Sequence, residues 1–268
     1  MEPMPIRVNR SIERAVNPSV FDTSTTLARV DRQLAAAAAA QVALLAVLTW
    51  QVGLGLPGWL AGAAYVLGLH ALLGGAARRA GTTSLGPADA VTLARAALVG
   101  GVTALVADRL VAGSVPVATL VVLASVALVL DGVDGKVARR TGTVSPLGAR
   151  FDMEVDAFLV LVLSLHIAVP VTPWALVIGG MRYAFVLASW AMPWLSGSLP
   201  TRFSAKVVAA MQGIVLVVVA AGVLPLLGAE ALVMAALIAL LWSFAQSVAW
   251  LWQAREVAGT ALSPAHAR

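Results

Sequence analysis

Apolar and polar positions along this chain alternate on the scale of whole segments, not of single residues. Predominantly apolar stretches recur at 34–52, 58–75, 89–107, 115–131, 149–169, 173–192, 204–223 and 229–251, and the polar residues collect in the breaks between them. Each stretch suffices to cross roughly 30 Å of hydrocarbon as a helix, which takes about 20 residues. The pattern predicts eight transmembrane helices and an all-α polytopic membrane protein. The second stretch is Gly-rich and carries His70, which leaves a re-entrant or interfacial piece as its alternative. The alanine run at 35–40 is a good helix former opening the first span.

Composition agrees with the pattern. Hydrophobic residues make up 60% of the chain and charged residues 12%, with a mean hydropathy of +0.91; a soluble domain is about half apolar and about a quarter charged. The chain has no cysteine, which excludes disulfides, iron–sulfur clusters, thiolate zinc sites and cysteine nucleophiles together. His70, His166 and His266 are scattered and do not suggest a zinc centre.

The net charge of +5 does not point to nucleic acid, because the basic residues form no aromatic-interleaved patch. They follow topology instead. With both termini cytoplasmic, the inside loops hold Arg78, Arg79, Lys136, Arg139, Arg140, Arg150, Arg202, Lys206, Arg255 and Arg268, and the outside loops only Arg109. The N-terminal stretch carries Arg7, Arg10, Arg14, Arg29 and Arg32 but also Glu2, Glu13, Asp22 and Asp31, and no short apolar run ends in a cleavage site. It reads as a cytoplasmic tail, 1–33, matched by a second tail at 253–268. The expected location is the cell membrane. Trp50, Trp59, Trp174, Trp194, Trp242 and Trp252 lie near predicted helix ends and read as interfacial anchors.

One segment breaks the apolar monotony: DGVDGKVARRTGTVSPLGARFDMEVD, residues 131–156. Carboxylates are costly at a bilayer, so a cluster of them beside apolar helices needs a compensating cation, best met by Mg²⁺ or Mn²⁺. Asp131 and Asp134 are three apart at the end of the fourth helix, and Asp152 and Asp156 four apart at the start of the fifth, so each pair shares a helical face. Glu154 points away from both. Thr141, Gly142, Ser145, Pro146 and Gly148 supply turn chemistry between the helices, which makes them antiparallel neighbours with convergent carboxylates. Four aspartates carry about four negative charges, which suits two divalent ions clamping a diphosphate. Gly132 and Gly135 allow a ligand close to the backbone, and Lys136, Arg139 and Arg140 lie where phosphates would arrive.

The spacing D-x2-D-G-x2-A-R-x8-G-x3-D-x3-D is met at Asp131, Asp134, Gly135, Ala138, Arg139, Gly148, Asp152 and Asp156. In these positions the chain resembles the CDP-alcohol phosphotransferases, also called the CDP-alcohol phosphatidyltransferase family. Two weaker likenesses accompany it. ADAVTLAR, with Asp89, Thr92 and Arg95, resembles the N-x2-T-x2-R opening of the family's first core helix, with Asp89 in place of Asn. LPTRFSAKVVAAMQG resembles the basic start of the fifth core helix, with Ala205-Lys206 in place of Gly-Lys.

The resemblance implies a six-helix core, usually dimeric, at 76–252, preceded by two additional spans at 34–75. It implies attack of an alcohol on the phosphorus of a CDP-linked lipid such as CDP-diacylglycerol, releasing CMP, with a small or lipid alcohol as acceptor among the membrane lipids. Asp131, Asp134 and Asp152 would then be metal ligands, and Asp156 the general base and a further ligand. Asp89, Thr92, Asp131, Asp134, Gly135, Ala138, Arg139 and Gly148 would bind CDP, and Arg182, Arg202 and Lys206 an anionic acceptor.

Three rivals compete with this reading. A prenyltransferase would need a second Asp-rich motif, which the chain lacks. A transporter would place carboxylates at the bilayer midplane on broken helices, not beside basic residues at its boundary. A non-catalytic binding protein would have lost signature residues, and none is lost.

Overall fold

The computed structural model describes residues 19–80, 87–113, 116–141, 145–196 and 203–261. Among them are eight α-helices and no strand: α1 Ser19–Val52, α2 Leu56–Ala80, α3 Pro87–Ala112, α4 Val117–Thr141, α5 Pro146–Ala168, α6 Ala175–Ala191, α7 Phe203–Ala220 and α8 Leu226–Ala261. A 3₁₀ turn, Pro193–Ser196, follows α6. Stretches within α1, α2, α3, α4 and α8 are long and apolar enough to cross a membrane. Helices α6 and α7 are apolar and shorter, at 17 and 18 residues. The chain is an integral membrane protein.

Several boundaries differ from those the hydropathy pattern predicts. Helix α2 is continuous over 25 residues, and a stretch of it is long and apolar enough to cross a membrane. Helix α4 runs to Thr141, past the apolar stretch, and carries the charged residues 134–140 on helical backbone. The polar ends of α1 and α8 are helical beyond the apolar cores as well. Hydropathy marks what suits hydrocarbon, whereas helical hydrogen bonding continues into the interface wherever no breaker stops it.

Helix α3 is the axis of the bundle. Within its apolar window 61% is buried, against 17% to 28% in α1, α2, α4 and α8. It packs on α1, α2, α4 and α5, with Ala96, Val99, Val102, Ala104 and Leu105 fully buried. Small residues permit this close approach. A methyl group at Gly100 would sit 2.5 Å from Gln41 Oε1 of α1, and one at Gly101 would sit 2.8 Å from Leu44 Cδ2.

The α1–α2 hairpin packs along this axis. Gly53, with φ +70°, closes α1 in the left-handed conformation that glycine adopts without strain. Beyond it the Gly55 N–H donates to Asp108 Oδ2 at 3.2 Å, from the far end of α3. Lower in the hairpin, Tyr65 of α2 packs its ring on Phe158 of α5 at 5.2 Å. His70 lies 2.9 Å from the Val66 carbonyl and 2.8 Å from the Leu34 carbonyl, a structural position between α2 and α1.

Candidate active site

Asp89, Thr92 and Arg95 follow one another at intervals of three along α3 and so lie on one helical face. All three are buried, with 8%, 4% and 1% of their surface exposed. An arginine at that depth needs anionic partners, and α4 and α5 supply them. Arg95 Nη1 donates to Asp131 Oδ1 at 2.6 Å. Its Nη2 lies 2.6 Å from Asp152 Oδ1 and 3.1 Å from Asp156 Oδ1, and it donates to the Asp152 carbonyl oxygen at 3.0 Å. One guanidinium therefore joins three helices.

The carboxylates are far more open than the arginine, with side-chain exposures of 38%, 34% and 41% for Asp131, Asp152 and Asp156. They form the mouth of the site and the guanidinium its floor. Three carboxyl groups thus share one guanidinium. One donor atom from each aspartate lies within 4.8 Å of the others. An all-carboxylate set with this spacing and openness can hold a hard divalent cation such as Mg²⁺ or Mn²⁺, which favours oxygen ligands.

The N-terminus of α5 is shaped by its sequence. Ser145 has extended backbone, its Oγ accepts from the Gly148 N–H at 2.9 Å, and Pro146 opens the helix. Gly148, expected in the connecting turn, sits in the first turn of α5. It faces Asp89 of α3: a Cβ there would overlap Asp89 Oδ1 and lie 3.0 Å from Ser145 Oγ. Only glycine lets α5 approach Asp89 this closely, so two residues read separately in the sequence form one contact.

The other predicted site residues are distributed unevenly. Asp134, Ala138 and Arg139 lie on α4, but their side chains fall outside the described residues. Gly135 lies one turn past Asp131 on the same helix. Arg202 is outside the described residues, and Lys206 is exposed on α7. Arg182 of α6 pairs with Glu154 of α5 through Nη2 and Oε1, with Nε at 3.5 Å from Oε2. Glu154 thus turns toward α6 and away from the triad, as its spacing predicts. Sequence reasoning left Arg95 without an assigned role, although an arginine inside an apolar helix signals a buried anion.

The family model for CDP-alcohol phosphatidyltransferase matches residues 86–250, more than half of the chain. The chain belongs to the CDP-alcohol phosphatidyltransferase family. No curated protein and no solved structure matches it significantly. The matched region opens at the first turn of α3 and closes within α8, so the whole Arg95 cluster lies inside it and α1 and α2 precede it. As a member of a phosphotransferase family, this CDP-alcohol phosphatidyltransferase homologue acts in lipid headgroup transfer, with a CDP-alcohol as donor and an alcohol as acceptor.

Proposed function

We propose that the protein transfers a phosphatidyl group, or a related phospho-alcohol group, from a CDP-linked lipid such as CDP-diacylglycerol to an acceptor alcohol, with release of CMP. The observation that carries this reading is the convergence of Asp131, Asp152 and Asp156 on Arg95 within a helical membrane bundle, inside the region matched by the family model.

Asp131, Asp134, Asp152 and Asp156 hold two divalent ions, Mg²⁺ or Mn²⁺. When bound, these supply Lewis-acid neutralisation of the diphosphate. Asp89, Thr92, Gly135, Ala138, Arg139 and Gly148 together with the aspartates form the CDP pocket. The closeness of Gly148 to Asp89 supports this grouping, because it sets the start of α5 against the start of α3. Asp156 accepts the proton of the acceptor hydroxyl; the alcohol oxygen bonds to phosphorus as the bond to the CMP oxygen breaks. It lies one helical turn after Asp152, on the same face, which lets it reach the attacking oxygen beside the ions.

Arg182, Arg202 and Lys206 bind an anionic acceptor. Arg182 is paired with Glu154 of α5, and an acceptor phosphate at Arg182 would compete with that carboxylate. The catalytic unit is residues 76–252, the active site and both termini face the cytoplasm, the membrane is the cell membrane, and the protein works as a homodimer.

The deciding experiment is a membrane assay with radiolabelled CDP-diacylglycerol and a panel of alcohols, including glycerol 3-phosphate, inositol, inositol phosphate and serine, scored by lipid product. CMP release that depends on one alcohol supports the proposal and names the acceptor. Absence of any alcohol-dependent product with each CDP-lipid tried would remove it.

A further inference from the structure

Resting on the reading of these aspartates as a divalent-cation site, we propose that Arg95 is a resident internal cation. It holds Asp131, Asp152 and Asp156 together from the buried side before metal arrives, and the metal binds on the open side against its charge. Arg95 acts through the aspartates, so it is a positioning residue.

Three carboxylates whose donor atoms lie within 4.8 Å of one another repel strongly at the edge of a membrane bundle. Without a cation among them, α4 and α5 would be driven apart or the acids would take up protons. Arg95 removes that penalty with a charge it cannot withdraw: its side chain is 1% exposed and sits on the most buried helix of the bundle. An arginine of this kind differs from a flexible surface cation, which would swing into water when a metal competed for its partners.

The geometry also separates the two cations. Each aspartate meets Arg95 through Oδ1, on the floor of the site, while the carboxyl groups themselves are about one-third exposed at the mouth. A carboxylate accepts from two sides, so the same groups serve an arginine below and an ion above. The planar fork matters as much as the charge. In the described contacts Nη1 reaches Asp131 of α4 and Nη2 reaches Asp152 and Asp156 of α5, two directions that the single ammonium of lysine does not reproduce.

Two opposite consequences for metal follow. Arg95 keeps the metal-free site assembled, and it lowers the affinity for a divalent ion by occupying part of the same negative field. The test uses the full chain in detergent micelles, with thermal unfolding in excess chelator or in saturating Mg²⁺, and Mn²⁺ binding followed by electron paramagnetic resonance. Arg95→Gln is expected to lower the metal-free unfolding temperature by on the order of 5 °C or more. Saturating Mg²⁺ should then raise it by more than it raises the wild type, with Mn²⁺ bound about fivefold more tightly or better. Arg95→Lys should fall between the two. The double variant Arg95→Gln, Asp156→Asn should recover part of the metal-free stability, since one repelling charge is gone.

A loss in Arg95→Gln that neither Mg²⁺ nor the second substitution reverses would reduce Arg95 to a packing residue and overturn the inference, as would weaker Mn²⁺ binding. If Arg95→Gln does not accumulate folded, the double variant decides: recovery of folded protein supports the resident cation, and continued failure rejects it. Wild-type protein that binds no Mn²⁺ would instead sink the metal reading itself, so the two failures are distinguishable.

Discussion

At the scale of single residues, the aspartates divide by what each should cost when neutralised. Asp131→Asn, Asp134→Asn and Asp152→Asn each remove a charge from the proposed metal cage, and all three should lose CDP-alcohol binding and turnover together. Asp156→Asn should keep nucleotide binding in Mg²⁺ while turnover falls by about 10²- to 10⁴-fold, the usual weight of a general base. Parallel measurement of nucleotide affinity and CMP release checks this, and equal loss of affinity in Asp152→Asn and Asp156→Asn would make Asp156 a fourth ligand only. Gly148 gives a second residue-scale prediction, because its missing Cβ is what admits Asp89. Gly148→Ala should weaken CDP binding and cost about 1–3 kcal/mol through overpacking. Nucleotide titration and thermal unfolding read the two effects separately.

At the scale of elements, the pairing of α5 with α6 makes a prediction that neither helix makes alone. Glu154 occupies Arg182, so if Arg182 receives an acceptor phosphate, Glu154→Gln should lower the acceptor KM and Arg182→Ala should raise it. The KM for the CDP-lipid should change little in either. Arg202→Ala, and Lys206→Ala on α7, should act in the same direction as Arg182→Ala; an unaltered acceptor KM in all of them would return these cations to topological anchoring. The α1–α2 hairpin offers a structural counterpart. Gly100→Leu would drive a side chain into Gln41, and the strain between α1 and α3 should lower the unfolding temperature without changing the relative KM values.

At the scale of the whole molecule, the absence of cysteine makes topology directly measurable. Lys136 is exposed beside the proposed site on α4, and Pro116 is exposed at the opposite end of the same helix. In intact cells a membrane-impermeant maleimide should label Pro116→Cys, and should label Lys136→Cys only after the membrane is opened. The reverse pattern would place the active site outside the cell and overturn the orientation drawn from the arginine distribution.

Much of this protein was legible before any folding. Hydrophobic runs separated by charged breaks determined the helices, because hydrocarbon leaves a backbone few ways to satisfy its hydrogen bonds. The spacing of Asp131, Asp152 and Asp156 determined which carboxylates share a face, because helical periodicity is a local property. Hydropathy was a poorer guide to where helices end, as the charged continuation of α4 shows. What only the tertiary structure decided is which faces meet. Arg95 lies 36 residues before Asp131 and 57 before Asp152, and no periodicity links them; they meet because α3 is packed from several sides and its one buried cation must be matched there. The same holds for Gly148 against Asp89 and for Arg182 against Glu154. Local sequence fixes the face that a residue presents, while its partner depends on how whole helices pack, a sum over contacts that spacing along the chain does not contain.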